Sequence, residues 1–313
     1  MKILSFVLLL VVDVNLPTQD HDIENAYNSG RWDENLLIID GLIRGAGSPQ
    51  NKKYLAELYV LKARQYWAKT SHQNFPKDSA LLALKQAEAL CEGLGLKAVE
   101  SDILQLFGQL MYRDAFENGL FDRARAFFRR AFILRESLAN PMLTSQSLFY
   151  IGLTFEQVDN PDSASYFYKI AYTLASEHGF KVEQSDAARH LGGLAQSRKH
   201  SDEARAFYQE SLLLRQEARY FIGVPYAMIT LADLIATESP LQADSLYRLA
   251  IQVAERNRVW RAQINALIAL GELSRTECQT AVPLFTEAAN LSRKIEYKSG
   301  EKRANSGLLH CDK

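Results

Sequence analysis

Small and large apolar residues recur along this chain at helical spacing. A small residue is followed at +4 by an aromatic or aliphatic and at +7 by a second small residue. The copies are Ala80/Leu84/Ala87, Ala124/Phe128/Ala131, Ala164/Tyr168/Ala171, Ala204/Tyr208/Ser211, Ala243/Tyr247/Ala250 and Ala281/Phe285/Ala288, with a diverged one at Asn35/Ile39/Leu42. The first members, at 35, 80, 124, 164, 204, 243 and 281, step by 45, 44, 40, 40, 39 and 38 residues. Offsets of 0, 4 and 7 lie on one stripe of an α-helix, where small residues admit a neighbouring helix and the large one fills the space between. Each stripe therefore marks the second helix of a hairpin, and a near-constant step marks an array.

An amphipathic helix precedes each stripe. Two of these carry an aliphatic-Gly pair, Ile151-Gly152 and Leu191-Gly192, twelve residues before the stripe's first Ala. Glycine inside a helix costs about 1 kcal/mol relative to Ala, so close helix contact is the expected compensation. Helix pairs are predicted near 20–44, 52–93, 101–138, 144–178, 184–216, 224–256 and 260–294. Turn signals at Asn118-Gly119, Asp159-Asn160-Pro161, His200-Ser201-Asp202 and Ser239-Pro240 separate paired helices, with Asn160 and Ser201 at N-caps or beside them. Gly45–Asn51 and Thr70–Asp78 read as the longest irregular stretches, and Tyr297–Lys313 as one further first helix without its second.

This pattern resembles the tetratricopeptide repeat. The best copy reads Leu148, Ile151, Gly152, Phe155, Ala164, Tyr168, Ala171, and the next reads Leu191, Gly192, Ala195, Ala204, Tyr208. The step near 40 exceeds the family's ~34, and a closing Pro is mostly missing. The resemblance implies an all-α, right-handed superhelical solenoid of about seven antiparallel hairpins over 20–294, with 295–313 a capping or truncated helix. It also implies a concave groove lined by first helices. At the family's groove positions stand Gln109, Arg113, Phe116 and Glu117, then Gln146, Phe149, Leu153, Glu156 and Gln157, then Asp186, Arg189, Gln196 and Ser197. That mixed polar lining, with Phe116 and Phe149 as exposed aromatics, suits an extended or helical peptide. The family's clamp for a C-terminal carboxylate is not expected, because Gly193 and Leu153 occupy two of its Asn positions.

Composition narrows the function classes. The 313 residues are 47% hydrophobic, enough for a continuous core, and 36 basic against 37 acidic residues leave a net charge of −1. No whole-molecule field draws in nucleic acid, which is not expected as a partner. Lys2 followed by the apolar run Ile3–Val12 and a polar stretch reads residues 1–18 as a secretory signal peptide, hence an exported protein. A hydrophobic capping helix in a cytoplasmic protein is the other reading. The run is too short to span a bilayer, and no other segment is apolar enough.

Candidate chemistry is sparse. Gly45–Lys53 lacks the Gly-Lys-Ser/Thr register of a phosphate loop and reads as a linker. The six histidines form no His-x-x-x-His or His-Glu-x-x-His pair, and adjacent His310 and Cys311 point about 100° apart on a helix. Cys91, Cys278 and Cys311 fit neither a disulfide framework nor a Cys-x-x-Cys site. Arg123, Arg125, Arg129, Arg130 and Arg135 flank both sides of one stripe and read as a solvated face, with an acidic or phosphate patch as the alternative. Tyr166, Phe167, Tyr168 and Tyr172 read as inter-helix core. No catalytic residue, cofactor or metal is assigned. The sequence predicts a non-enzymatic scaffold or adaptor that binds a protein or peptide. The alternative is the sensing or docking array of a larger regulator whose DNA-binding, kinase or caspase-like peptidase domain is missing or separate.

Overall fold

A computed structural model describes residues 23, 25–46, 51–73 and 76–311. The predicted signal segment 1–18 and parts of the stretches Gly45–Asn51 and Thr70–Asp78 lie outside them. Among the described residues the chain is helical with no strand: a helical turn over 25–28 is followed by α1 (Trp32–Gly45), α2 (Lys52–Gln73), α3 (Asp78–Cys91), α4 (Lys97–Asn118) and α5 (Phe121–Ser137). Then come α6 (Pro141–Glu156), α7 (Pro161–His178), α8 (Lys181–Ser197), α9 (Ser201–Glu217), α10 (Val224–Ile235), α11 (Pro240–Arg256), α12 (Trp260–Leu273), α13 (Cys278–Lys294) and α14 (Lys298–Cys311). Each helix packs most heavily on its chain neighbours, the pattern of a solenoid.

The stripes and glycines act together. Ala124, Phe128, Ala131, Ala164, Tyr168 and Ala171 are fully buried in α5 and α7. Gly152 lies under its hairpin's aromatic: a methyl built on it would stand 2.6 Å from Tyr168 Cε1, inside van der Waals contact. Gly192 meets Tyr208 in the same way at 2.7 Å. Gly108 under Phe128 and Gly271 under Phe285 repeat the device at 2.5 and 2.8 Å, although sequence reasoning did not single them out. The missing side chain lets the first helix ride on the second helix's ring, which offsets the glycine's entropic cost.

Many of the helices end on left-handed residues. Gly119 and Gly179 follow α4 and α7 at φ 74° and 70°, whereas Ala139, Asp159, Lys199, Arg219, Arg258 and Glu296 take positive φ without being glycine. After two of these bends an Asn-Pro pair restarts the helix: the side chains of Asn140 and Asn160 accept from the amides of Leu143 and Ser163, each at 3.1 Å.

Two expectations are corrected. Thr70–Gln73 is the last turn of α2 rather than irregular chain, held there because Thr70 is buried and its carbonyl accepts from Arg113 Nη1. Cys278 and Cys311 form a disulfide with Cα atoms 5.4 Å apart, because α13 and α14 run antiparallel and the start of one meets the end of the other. Cys91 is a buried free thiol.

The array turns back on itself. α2 touches α12, and beside that contact Gln73 Nε2 donates at 3.2 Å to the carbonyl of Arg258, 185 positions later and just before α12, while His72 Nδ1 lies 3.2 Å from the hydroxyl of Tyr226 on α10. Trp32, only 1% exposed, shares one apolar cluster with Ile222, Val224, Met228, Val259 and Ala262. The first two hairpins thus pack against the sixth and seventh.

Candidate partner-binding face

The predicted groove residues fall on α4, α6 and α8, and burial divides them. Phe116, Gln157 and Gln196 are exposed at the C-terminal ends of these three first helices or just beyond. Phe116 is 61% exposed and packs edge-on to Tyr112 and Phe121 at 5.3 and 5.4 Å. Glu117 and Ser197 beside them are exposed as well, and the remaining positions lie deeper. Gln109 is buried, and Phe149 is 8% exposed rather than an accessible aromatic, wedged against Tyr150, Tyr168 and His190 at 5.2–5.7 Å.

Several groove positions are committed to holding the repeat together. The stripe tyrosines are buried, so each hydroxyl needs an acceptor. Tyr168 donates to Glu156 Oε2, Tyr208 to Gln196 Oε1 at 2.8 Å, and Tyr247 to Asp233 Oδ1 at 2.6 Å. Burial and the acceptor carboxylates raise the Tyr168 and Tyr247 phenols far above their ordinary value. The family's groove position on α6 and α8 thus also satisfies the neighbouring second helix.

Glu156, His190 and Arg189 form one chain of contacts. A carboxylate only accepts, so His190 Nδ1–H donates to Glu156 Oε2 at 2.8 Å, which leaves Nε2 free to accept from Arg189 Nη2. Burial, reinforced by the Arg189 guanidinium, lowers the His190 imidazole and keeps it neutral. Burial alone would raise Glu156, but hydrogen bonds from His190 and Tyr168 outweigh it and hold the carboxyl below its ordinary value.

The second-helix arginines divide likewise. Arg135, expected on a solvated face, is 2% exposed: Nη2 donates to Asp102 Oδ1 at 2.7 Å, and Nη1 reaches Gln105, Ser147 and the Leu143 carbonyl. Arg215 repeats this with Asp186 Oδ1 at 2.6 Å, Ser185 and the Gly223 carbonyl. Both stand eleven residues after the stripe's first Ala, at 124 and 204, and both clamp their own hairpin to the start of the next first helix. Asp186 is therefore engaged by Arg215. Arg125 lies over the Phe155 ring at 3.9 Å and bonds Asp122 at 2.6 Å, leaving Arg123, Arg129 and Arg130 on the exposed surface. Of the aromatic group, Phe167 stacks on Phe155 at 5.5 Å and Tyr168 is core, while Tyr166 is exposed.

Among the described residues no His/Cys/Asp/Glu group has metal-binding geometry, and no helix is long and apolar enough to cross a membrane.

The helices, stripes and superhelical turn define a TPR-like α-solenoid, and comparison with solved structures gives the same fold. A Rap protein complexed with competence and sporulation factor superposes at TM-score 0.66 and 12% identity, over 91% of this chain and 78% of that one. The apo quorum sensor NprR from B. thuringiensis matches at 0.53 and 14%, over 95% and 84%. The tetratricopeptide-repeat sensor protein PH0952 of Pyrococcus horikoshii, a signal transduction ATPase with numerous domains, matches at 0.54 and 14%, over 81% of this chain and 39% of that one. At these identities the likeness is one of fold. No protein-family model matches the sequence, and no curated protein matches it significantly.

Proposed function

We propose that this chain is a non-enzymatic interaction module that holds a segment of a protein partner along the ends of α4, α6 and α8. The observation that carries the reading is that Phe116, Gln157 and Gln196 are each exposed at, or one residue beyond, the C-terminal end of three successive first helices. An aromatic anchor beside two amides suits an extended or helical segment, with apolar burial supplying affinity and side-chain amides fixing register. The TPR-like neighbour complexed with competence and sporulation factor supports a ligand-holding role for such an array. Quantitative pull-down tests it: Phe116→Ala and Gln196→Ala should each reduce recovery of a bound partner at least fivefold while helical circular dichroism is unchanged. Undiminished recovery from both would remove this face from the reading.

We further propose that the protein works in an oxidising compartment. The signal-like N-terminus and the Cys278–Cys311 disulfide are independent features that favour the same location. A fusion of the N-terminal segment to alkaline phosphatase, which becomes active only after export to an oxidising compartment, checks it, and an inactive fusion that fractionates with the cytosol would contradict it.

A second reading has support in PH0952, a longer protein of which this chain spans 39%. In that reading the array is the sensing part of a larger regulator, and a downstream reading frame encoding an effector domain is the evidence to seek.

A further inference from the structure

The segment at residues 25–32 packs on the late first helices α10 and α12. It leaves its helical turn through Gly30, at φ 72°. The Asn28 carbonyl accepts from the Ile222 amide at 3.1 Å, an inter-segment backbone bond of the kind peptide ligands make. Gly30 lies so close to Asn257 that an added Cβ would fall within the Asn257 carbonyl oxygen. Trp32 is buried among residues of α10 and α12, its Nε1 donating to the Tyr27 carbonyl at 3.1 Å and its ring stacked on His72 at 5.5 Å and 15°. Tyr27 lies beneath the Arg64 guanidinium at 4.2 Å and packs on the same cluster. Two aromatics five residues apart, a left-handed residue between them and one backbone hydrogen bond form a compact recognition unit.

We propose that residues 25–32 are a ligand in cis for the face made by α10, the loop before it and the start of α12. A partner segment with the same chemistry, a helical turn broken by a left-handed residue between two aromatics five apart, competes for that seat. Displacing the cis segment separates the first two hairpins from the sixth and seventh and opens the superhelix, because Gln73, His72 and Trp32 bridge the same gap. This rests on the reading of the array as a segment-binding module and adds a second seat with defined partner chemistry.

The test uses the full chain and a fluorescein-labelled peptide of residues Asn25–Trp32. Gly30→Ala wedges the contact open through both φ and the Asn257 clash, and Trp32→Ala weakens it through lost packing. In both variants the Ile222 amide should exchange with deuterium at least tenfold faster, and the peptide should bind at least tenfold more tightly than to the unaltered chain. The same peptide with Tyr27 and Trp32 changed to Ala should show no such gain. An Ile222 amide that stays protected in both variants, or a peptide that prefers neither variant, overturns the proposal. So does loss of helical circular dichroism in both, since the segment would then be core rather than a displaceable ligand. Partner recovery that still depends on Phe116 while the peptide fails would leave the interaction module standing and remove only this seat.

Discussion

Gly152 and Tyr168 share one space: the glycine's absent side chain is the room in which the tyrosine ring lies, 2.6 Å from where a Cβ would be. Gly152→Ala must therefore move the ring or part α6 from α7. Overpacking of this kind costs about 1–3 kcal/mol. Gly41 is the control, since the nearest atom to its Cβ position is the mobile tip of Arg44 at 4.0 Å. Gly41→Ala should stabilise α1 by roughly 0.5–1 kcal/mol. Urea titrations of both variants should move the midpoint in opposite directions.

Asp186 and Arg215 make the same argument for charge. Removing the carboxylate leaves a guanidinium that is 4% exposed with only neutral partners. Asp186 is itself 31% exposed, which moderates the loss, so Asp186→Ala should cost about 2–3 kcal/mol. Thermal unfolding checks this, and a shift no larger than that of Asp162→Ala, an exposed pair, would be inconsistent with a buried clamp.

The disulfide predicts a thiol count. Protein isolated from an oxidising compartment should show one thiol in denaturant, Cys91, and three after reduction. Closing a loop of 33 residues stabilises a folded chain by about 3–4 kcal/mol. Reduction should therefore loosen α14 first, read as faster amide exchange at Ala304 and Gly307, which pack on α13.

His72 makes the contact between the array's two ends sensitive to acid. Burial, with Arg261 and Arg215 adding to it, lowers its pKa to about 4, against about 6.5 in the unfolded chain. Between those values the unfolded state binds more protons, so stability is intact above about pH 6.5 and falls as pH drops toward 4. His190, also lowered, acts in the same direction. Because His72 is partly solvent-accessible, a loss of about 1–2 kcal/mol is expected rather than the full amount of its shift. His72→Gln should flatten the pH dependence measured by urea unfolding at pH 7 and pH 4.5.

How much of this was legible follows from which contacts are local. The stripes and Gly152 and Gly192 could be read because hairpin packing repeats at nearly fixed spacing, so the same residue types return every 38–45 positions. The Arg135 and Arg215 clamps shared a signal too, the common offset of eleven, but a charged residue beside exposed arginines looked solvated until its acceptors on the next helix came into view. The cysteine pair was visible as near-symmetry about the turn at Ile295–Tyr297, with Cys278 and Cys311 at similar distances on either side. The contact of Asn28 with Ile222 left no periodic trace, since it arises only once the accumulated rotation of the repeats brings the ends together. The family's positions fall on first helices, with Gln157 one residue beyond its helix, but they did not indicate that Tyr168 and Tyr208 would draw on Glu156 and Gln196, or that Phe149 would be enclosed.

The central claim is that a partner segment lies along the ends of the first helices. Site-specific photo-crosslinking tests it most directly, with a benzophenone side chain placed at position 116 and, as a comparison, at position 133, an exposed site on the second helix α5. A discrete crosslinked polypeptide from position 116, suppressed by unlabelled partner and absent from position 133, is the predicted result. Crosslinks from position 133 alone, or equally from both, would contradict it.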